Sequence, residues 1–273
     1  CRRTHMKQLH ELTIKEVLGG YQNHDFTCVD LVKHFQKRIE KYNPKLNIYL
    51  ALNEKALEEA TEVDKEIAER GITRPLLGIP FAIKDNFLTL GLKTTAGSNI
   101  LKAYQPQYES SVTGKLLAAG AIFLGKTNMD SFAHGSSTET SAFGPTLNPW
   151  NPEKLPGGSS GGSAAAISAQ LATAALGSET AGSIRQPSAW CGVTGLKPSY
   201  GRASRYGIIA MASTTDQPGP IAKSVEDCAL VSEVIFGKDP FDATTSPAPN
   251  EKYTDSLVAP DLRGARIGLV KEY

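Results

Sequence analysis

Two stretches of this chain hold serine hydroxyls in tight small-residue turns, and a third sets a lysine in apolar company. The first stretch is "KLPGGSSGGSAAAISAQ", residues 154–170, where Ser159 and Ser160 lie among four glycines just before an alanine-rich run. Gly158-Ser159-Ser160-Gly161-Gly162 fits G-x-S-x-G, the turn that presents the nucleophile of α/β-hydrolases. That turn needs a strand before it, and "NPWNPEKLP" is proline-broken. Its triad also needs a later histidine, yet His5, His10, His24, His34 and His134 all precede Ser160. A phosphate-binding loop would need a lysine after the glycines, and none follows. A flexible linker fits poorly, since helix and strand signals abut both sides. A Cys191–His134 pair has no support in the local spacing.

A serine can also be activated by lysine. Such a lysine must be neutral near pH 7, against an ordinary lysine pKa of about 10.4, and burial lowers that value by up to about 3–5 units. Lys84 in "GIPFAIKDNF" follows Phe81, Ala82 and Ile83 directly. The plain alternative is a strand-end lysine whose amine snorkels to solvent. The other hydroxyl-rich stretch is "LGSETAGSIRQPSAWCG", residues 176–192. Its turn Thr180-Ala181-Gly182-Ser183 offers successive backbone N–H groups with little bulk, as an oxyanion hole requires, and Ser183 is placed to attack. The plain alternative is a strand-to-helix turn with Ser183 as a cap.

Helices alternating with short apolar strands must position these residues. Thr27, with Asp30 three residues on, caps a helix over "CVDLVKHFQKRIEKY", which Asn43-Pro44 is expected to end. Val29, Val32, Phe35 and Ile39 give it one apolar face. A second, highly charged helix, "EKALEEATEVDKEIAER", stops at Gly71. Strands are expected over residues 79–83, in "AIFLGKTNMD", in "ATAALGSET", in "CGVTGLKPS" and in "ARIGLV". Helices are expected in "SSVTGKLLAAG", "AAAISAQ" and "SVEDCALVSEVIFG". This alternation implies an α/β layer fold with a largely parallel or mixed sheet. Residues 1–70 read as a helical segment packed on a core of 71–273.

The composition sets bounds. With 29 basic and 28 acidic residues among 273, no basic excess advertises direct nucleic-acid binding. No apolar run approaches the roughly 18 residues of a membrane span. The N-terminus lacks a signal-peptide core, so the expected location is cytoplasmic. Cys1, Cys28, Cys191 and Cys228 show no paired spacing, so they read as buried or free thiols, and no metal site is expected. Met6 opens a more natural start, with residues 1–5 an upstream remnant. The chain stops as a strand reaches a loop, which reads as a fragment.

"GGSSGGSAAA", "GSETAGSIRQPSAWCGVTGLKPSYGR" and "GIPFAIKDNF", in their order along the chain, resemble the amidase signature family. The resemblance covers nearly everything from about residue 8. It implies α/β/α layers, with a mixed, largely parallel central sheet covered by helices and part of the fold lying past Tyr273. It also implies a Ser–cis-Ser–Lys triad. Ser183 would be the nucleophile, Ser159 the bridging serine behind a cis peptide, and Lys84 the base. The backbone of Thr180, Ala181, Gly182 and Ser183 would form the oxyanion hole.

"GKTNMDSFAHGSSTETSAFGPTLNPWN" and "SRYGIIAMASTTDQPGPIAKSVED" are similar to one branch of that family, the A subunits of glutamine-dependent aspartyl/glutamyl-tRNA amidotransferases. That branch implies a glutaminase whose ammonia passes to partner subunits B and C in a heterotrimer. It implies no cofactor on this chain, with ATP and Mg²⁺ on the partner, and tRNA met only through that partner. The competing readings are a stand-alone amidase for small amides and an inactive truncated subunit. The pattern departs from the family at Ala181, where glycine is usual, and at Ser131, His134 and Thr140; His134 reads as a loop or wall residue. An alanine at 181 would be strained if that position needed a positive φ.

Overall fold

The computed structural model describes residues 7–257, 263–266, 268, 269 and 271. Cys1 and Met6 lie outside the described residues. The chain opens with helices α1 (Ile14–Gln22) and α2 (Cys28–Leu46), strand β1 (Tyr49–Leu52) and helix α3 (Ala56–Arg70). Strand β2 (Pro80–Lys84), helix α4 (Ser111–Ala118) and strand β3 (Ile122–Thr127) follow. Helix α5 (Gly161–Ser168), strand β4 (Ala174–Glu179), helix α6 (Arg185–Cys191), strands β5 (Thr194–Gly195) and β6 (Gln217–Ala222) and helix α7 (Val225–Ile235) complete the order.

Local chemistry explains the N-terminal helices. Thr27 and Asp30 form a reciprocal capping box at the start of α2. The next two N–H groups, of Cys28 and Val29, donate to the Asp64 carboxylate of α3 at 2.7 and 3.0 Å. Helix α2 runs past the expected stop, through Pro44 to Leu46. A proline in the last turn removes only one late hydrogen bond, so the helix continues until Asn47 turns left-handed at φ 51°. The side chain of Asn43 then serves the entering strand: its Oδ1 accepts from Ile48 and Tyr49 N–H at 2.9 and 2.7 Å. Leu31, Val32, Phe35 and Ile39 of α2 are buried in the same cluster as β2, β3 and β4. Residues up to 70 thus supply both packed helices and a strand.

The sheet order is β1-β3-β2-β4-β6-β5. β2 runs parallel to β3 and to β4, whereas β1, β6 and β5 join antiparallel. The sheet is mixed, with its parallel part confined to the three central strands. Every residue of those strands is buried, as parallel strands covered on both faces require. Helix α5 is buried from Gly161 to Ile167 and apolar all round, so it lies inside the molecule.

Strand β6 was not legible, because "QPGPIA" carries two prolines. The Pro220 carbonyl accepts from Leu196 N–H at 3.0 Å, on the β5 side. A residue's N and C=O face the same neighbour in an antiparallel ladder, so the nitrogens of Pro218 and Pro220 both face away from β4. The β4 ladder loses no donor. The expected strand in "ARIGLV" is not found: Ala265, Arg266, Gly268 and Leu269 are exposed and outside any strand, while Ile267 and Val270 lie outside the described residues. An apolar run becomes a strand only where a sheet edge supplies backbone partners.

Removing the Asp64 carboxylate strips two half-buried N–H groups of their acceptor. Asp64→Ala should lower unfolding stability by about 1–2 kcal/mol. Denaturant unfolding checks this, with the midpoint falling and the m-value unchanged.

Candidate active site

The parallel strands β2, β3 and β4 end side by side, the usual place for a ligand site in α/β sheets. Lys84 is the last residue of β2 and is fully buried with Phe81, Ala82 and Ile83. Its Nζ lies 2.7 Å from Ser159 Oγ, 3.0 Å from the Ser178 carbonyl and 3.0 Å from Ser178 Oγ. Among the described residues it has no ion-pair partner. Burial pulls its pKa down to about 7, against the upward pull of the more distant Asp130, Asp216 and Glu179 carboxylates. The snorkelling alternative is therefore not what the fold adopts.

A second lysine shows why sequence alone does not single this one out. Lys126, the penultimate residue of β3, also follows an apolar run and is equally buried. Its Nζ donates to the Phe87 carbonyl and Thr94 Oγ1, both at 2.7 Å, and lies 3.4 Å from Asp85 Oδ1. Lys126 is a structural cation, while Lys84 meets only hydroxyls and a carbonyl.

The Gly158–Ser159 peptide is cis. A Cβ on Gly158 would stand 2.0 Å from Asp130 Oδ2 and 2.7 Å from Ser137 N, so only glycine fits. Asp130 is buried and accepts from Thr138 N–H at 3.0 Å and Thr140 Oγ1 at 2.9 Å. Thr140, one of the departures, thus supports the wall against which Gly158 packs. Ser160 and Ser163 anchor α5 to β4: Ser160 Oγ donates to the Ser178 carbonyl and Ser163 Oγ to that of Leu176, each at 3.0 Å.

Ser183 sits at the other hydroxyl-rich turn, nearly buried, and its carbonyl accepts from Ser160 N–H at 3.1 Å. This bond makes the two serine turns one unit. Glu179, at the end of β4, shapes the Ser183 turn. Its carboxylate accepts from the N–H groups of Gly182, Ile184 and Arg185 at 2.8, 2.9 and 2.9 Å, and from Arg185 Nε at 2.7 Å. These bonds hold its pKa below the ordinary carboxylate value despite burial. They also correct one expectation: the Gly182 N–H is committed to Glu179, so the expected oxyanion donors reduce to Thr180, Ala181 and Ser183. Positive φ falls on Gly182, at 115°, and not on Ala181, so alanine is unstrained there. Thr180 Oγ1 donates to Asp216, whose other oxygen accepts from Met211 and Ala212 N–H at 2.9 and 3.1 Å.

Sequence reasoning passed over Glu179, Asp216, Ser178 and Asn86. Glu179 and Ser178 stood in the quoted turn, where a strand ending in "SE" before small residues was the available signal. Asp216 and Asn86 carry none. The exposed His134 has its Nδ1 3.0 Å from the Phe132 carbonyl, while the buried Cys191 thiol donates to the Pro156 carbonyl at 3.3 Å. They form no pair. Burial pushes the thiols of Cys28, Cys191 and Cys228 up to about 12.

Comparison with known proteins matches residues 30–273 to the amidase family model. The chain is 52% identical over 260 residues to the A subunit of glutamyl-tRNA(Gln) amidotransferase from Prochlorococcus marinus (strain NATL2A), covering 95% of this chain and 53% of that protein. It is 53% identical over 247 residues to the namesake from Thermosynechococcus vestitus, covering 90% and 51%. Among solved structures, the A subunit of glutamyl-tRNA(Gln) amidotransferase from Thermotoga maritima superimposes with a TM-score of 0.76 at 42% identity, over 89% of this chain and 50% of that one. The native peptide amidase from Stenotrophomonas maltophilia gives 0.85 at 37% identity, over 90% and 52%. The chain spans about half the length of the curated relatives it matches. A family model and relatives that run through all three site motifs give one conclusion: the chain belongs to the amidase family.

Proposed function

We propose that this chain carries the catalytic centre of a glutaminase subunit, which supplies ammonia for transamidation of misacylated Glu-tRNA(Gln) or Asp-tRNA(Asn). The observation that carries the chemistry is the buried 2.7 Å contact between Lys84 Nζ and Ser159 Oγ, with no carboxylate among the described residues paired to the amine. In this reading Ser183 Oγ attacks the side-chain amide carbon of glutamine. Its proton passes to Ser159 as the Ser159 proton passes to neutral Lys84. The oxyanion forms against the N–H groups of Thr180, Ala181 and Ser183. The Lys84 ammonium returns a proton through Ser159 to the leaving nitrogen, ammonia departs, and water hydrolyses the acyl-enzyme.

The tRNA-linked part rests on similarity to relatives named as amidotransferase A subunits. By that reading subunits B and C complete a heterotrimer, ATP and Mg²⁺ act on the partner, and the assembly works in the cytoplasm. A formal net charge of +1 agrees with tRNA being held elsewhere. No described helix is long and apolar enough to cross a membrane. A stand-alone amidase is the second reading, favoured by the higher TM-score with the peptide amidase.

Ser183→Ala in the full-length chain assembled with its partners should lower kcat for glutamine hydrolysis by about 10⁴-fold or more and abolish acyl-enzyme formation. Normal turnover would remove Ser183 from its role. Comparing glutamine with small amides, with and without partner subunits, separates the two readings.

The pH dependence follows from Lys84. Its pKa is depressed, so the reactive neutral amine predominates above about 7 and the inert ammonium below it. Glutaminase kcat/KM should therefore rise with pH through about 7 to a plateau. A rate independent of pH between 6 and 8, read roughly on the same assay, would contradict Lys84 as the base.

A further inference from the structure

A neutral lysine amine has two N–H donors and one lone pair, and an ammonium has three donors. Three oxygens surround Lys84 Nζ: Ser159 Oγ at 2.7 Å, the Ser178 carbonyl at 3.0 Å and Ser178 Oγ at 3.0 Å. The carbonyl can only accept, so it takes one N–H. A proton leaving Ser159 needs the amine's lone pair in front of it. The second N–H must then go to Ser178 Oγ.

We propose that Ser178, with Asn86 behind it, is the positioning residue that turns the Lys84 amine so that its lone pair meets the Ser159 hydroxyl. This rests on the reading of Lys84 as the base. Asn86 Nδ2 donates to Ser178 Oγ at 3.0 Å and to the Ile209 carbonyl at 3.3 Å. The second of these fixes which end of the amide is nitrogen. Ile209 N–H donates back to the Asn86 carbonyl at 2.8 Å, which holds the backbone on both sides. Ser178 is pinned again through its own N–H, which donates to Ser160 Oγ at 3.3 Å. Lys84, Ser178 and Asn86 are all buried.

The arrangement serves both protonation states. When Lys84 gains the proton, the same three oxygens can accept its three N–H groups. Without the Ser178 hydroxyl, the second N–H has only Ser159 Oγ to meet. Ser159 then becomes an acceptor from Lys84, which is the wrong polarity for giving up its proton. The carboxylates whose charge reaches Lys84 are Asp130 in the loop after β3, Asp216 before β6 and Glu179 at the end of β4, the last paired with Arg185. None is altered by a change at Ser178.

The test uses the full-length chain with its partners, and reads glutamine turnover against pH and the rate of Ser183 labelling by a fluorophosphonate. Ser178→Ala should lower kcat and labelling by about 10²-fold, as loss of aligned proton transfer does. KM should stay within a factor of about two. The rising pH limb should move to lower pH, because the ammonium loses one acceptor. Ser178→Thr, which keeps the hydroxyl, should restore most of the rate, and Asn86→Ala should fall between. If Ser178→Ala does not fold, Ser178→Cys carries the same expectation, since its thiol accepts only weakly. Wild-type labelling with an unmoved limb in Ser178→Ala overturns the proposal, provided Lys84→Met is dead. A Lys84→Met variant that labels at the wild-type rate would instead overturn the assignment of the base.

Discussion

A lysine amine held inside a protein without a carboxylate is expensive as an ammonium, and that cost organises this site. Burial of Lys84 at the end of β2 brings its pKa down to about 7. Two other features follow. The carboxylates nearest in influence, Asp130, Asp216 and Glu179, must stay outside ion-pair distance and spend their oxygens elsewhere. They do so on backbone N–H groups: Asp130 on those of 137 and 138, Asp216 on those of 211 and 212, and Glu179 on those of 182, 184 and 185. The amine must also have neutral acceptors around it, and Ser159 and Ser178 provide them.

The contrast with Lys126 shows how small the structural difference is between a buried lysine beside a carboxylate and one that meets only hydroxyls and a carbonyl. Both lie within the last two residues of central strands, at adjacent places in the β2–β3 register. Asp85 and the Phe87 carbonyl close on Lys126, so its charge is compensated. Lys84 instead meets Ser159 of the cis-peptide loop. That loop is built from residues without side-chain bulk. Gly158 lies against Asp130 and the Ser136–Ser137 backbone, and Gly162 would set a Cβ 2.4 Å from the Asn128 carbonyl. Glycine here is a requirement of close approach.

Glu179 has a double part in the same geometry. It ends β4, and its carboxylate gathers the N–H groups that follow, folding the chain back to present Ser183. The same bonds take the Gly182 donor out of reach of a substrate oxyanion. A turn held this firmly from inside keeps only those N–H groups that point away from its organising carboxylate.

Much of this was legible in the sequence. Helical periodicity, the Thr27–Asp30 box and the apolar runs ending in Lys84 and Glu179 gave the helices and the central strands, because these are local effects of propensity, capping and burial. The absence of any histidine after Ser160 pointed to lysine as the partner, and the resemblance to the amidase signature family singled out Ser159 and Ser183. What stayed hidden depends on meetings across the chain. Strand β6 with its prolines is stable only because β4 lies on the side where no N–H is missing. Helix α2 passes Pro44 because Asn43 and Asn47 satisfy the backbone beyond it. Asn86 behind Ser178, Asp216 at Thr180 and the Asp85 partner that separates Lys126 from Lys84 are contacts between segments up to 92 residues apart. The sequence by itself determined which side chains could do the chemistry and which elements would carry them. Only the tertiary structure decided which of the two buried lysines meets Asp85 and which meets hydroxyls and a carbonyl, since the energy of a buried charge is set by what the fold brings within a few ångströms of it.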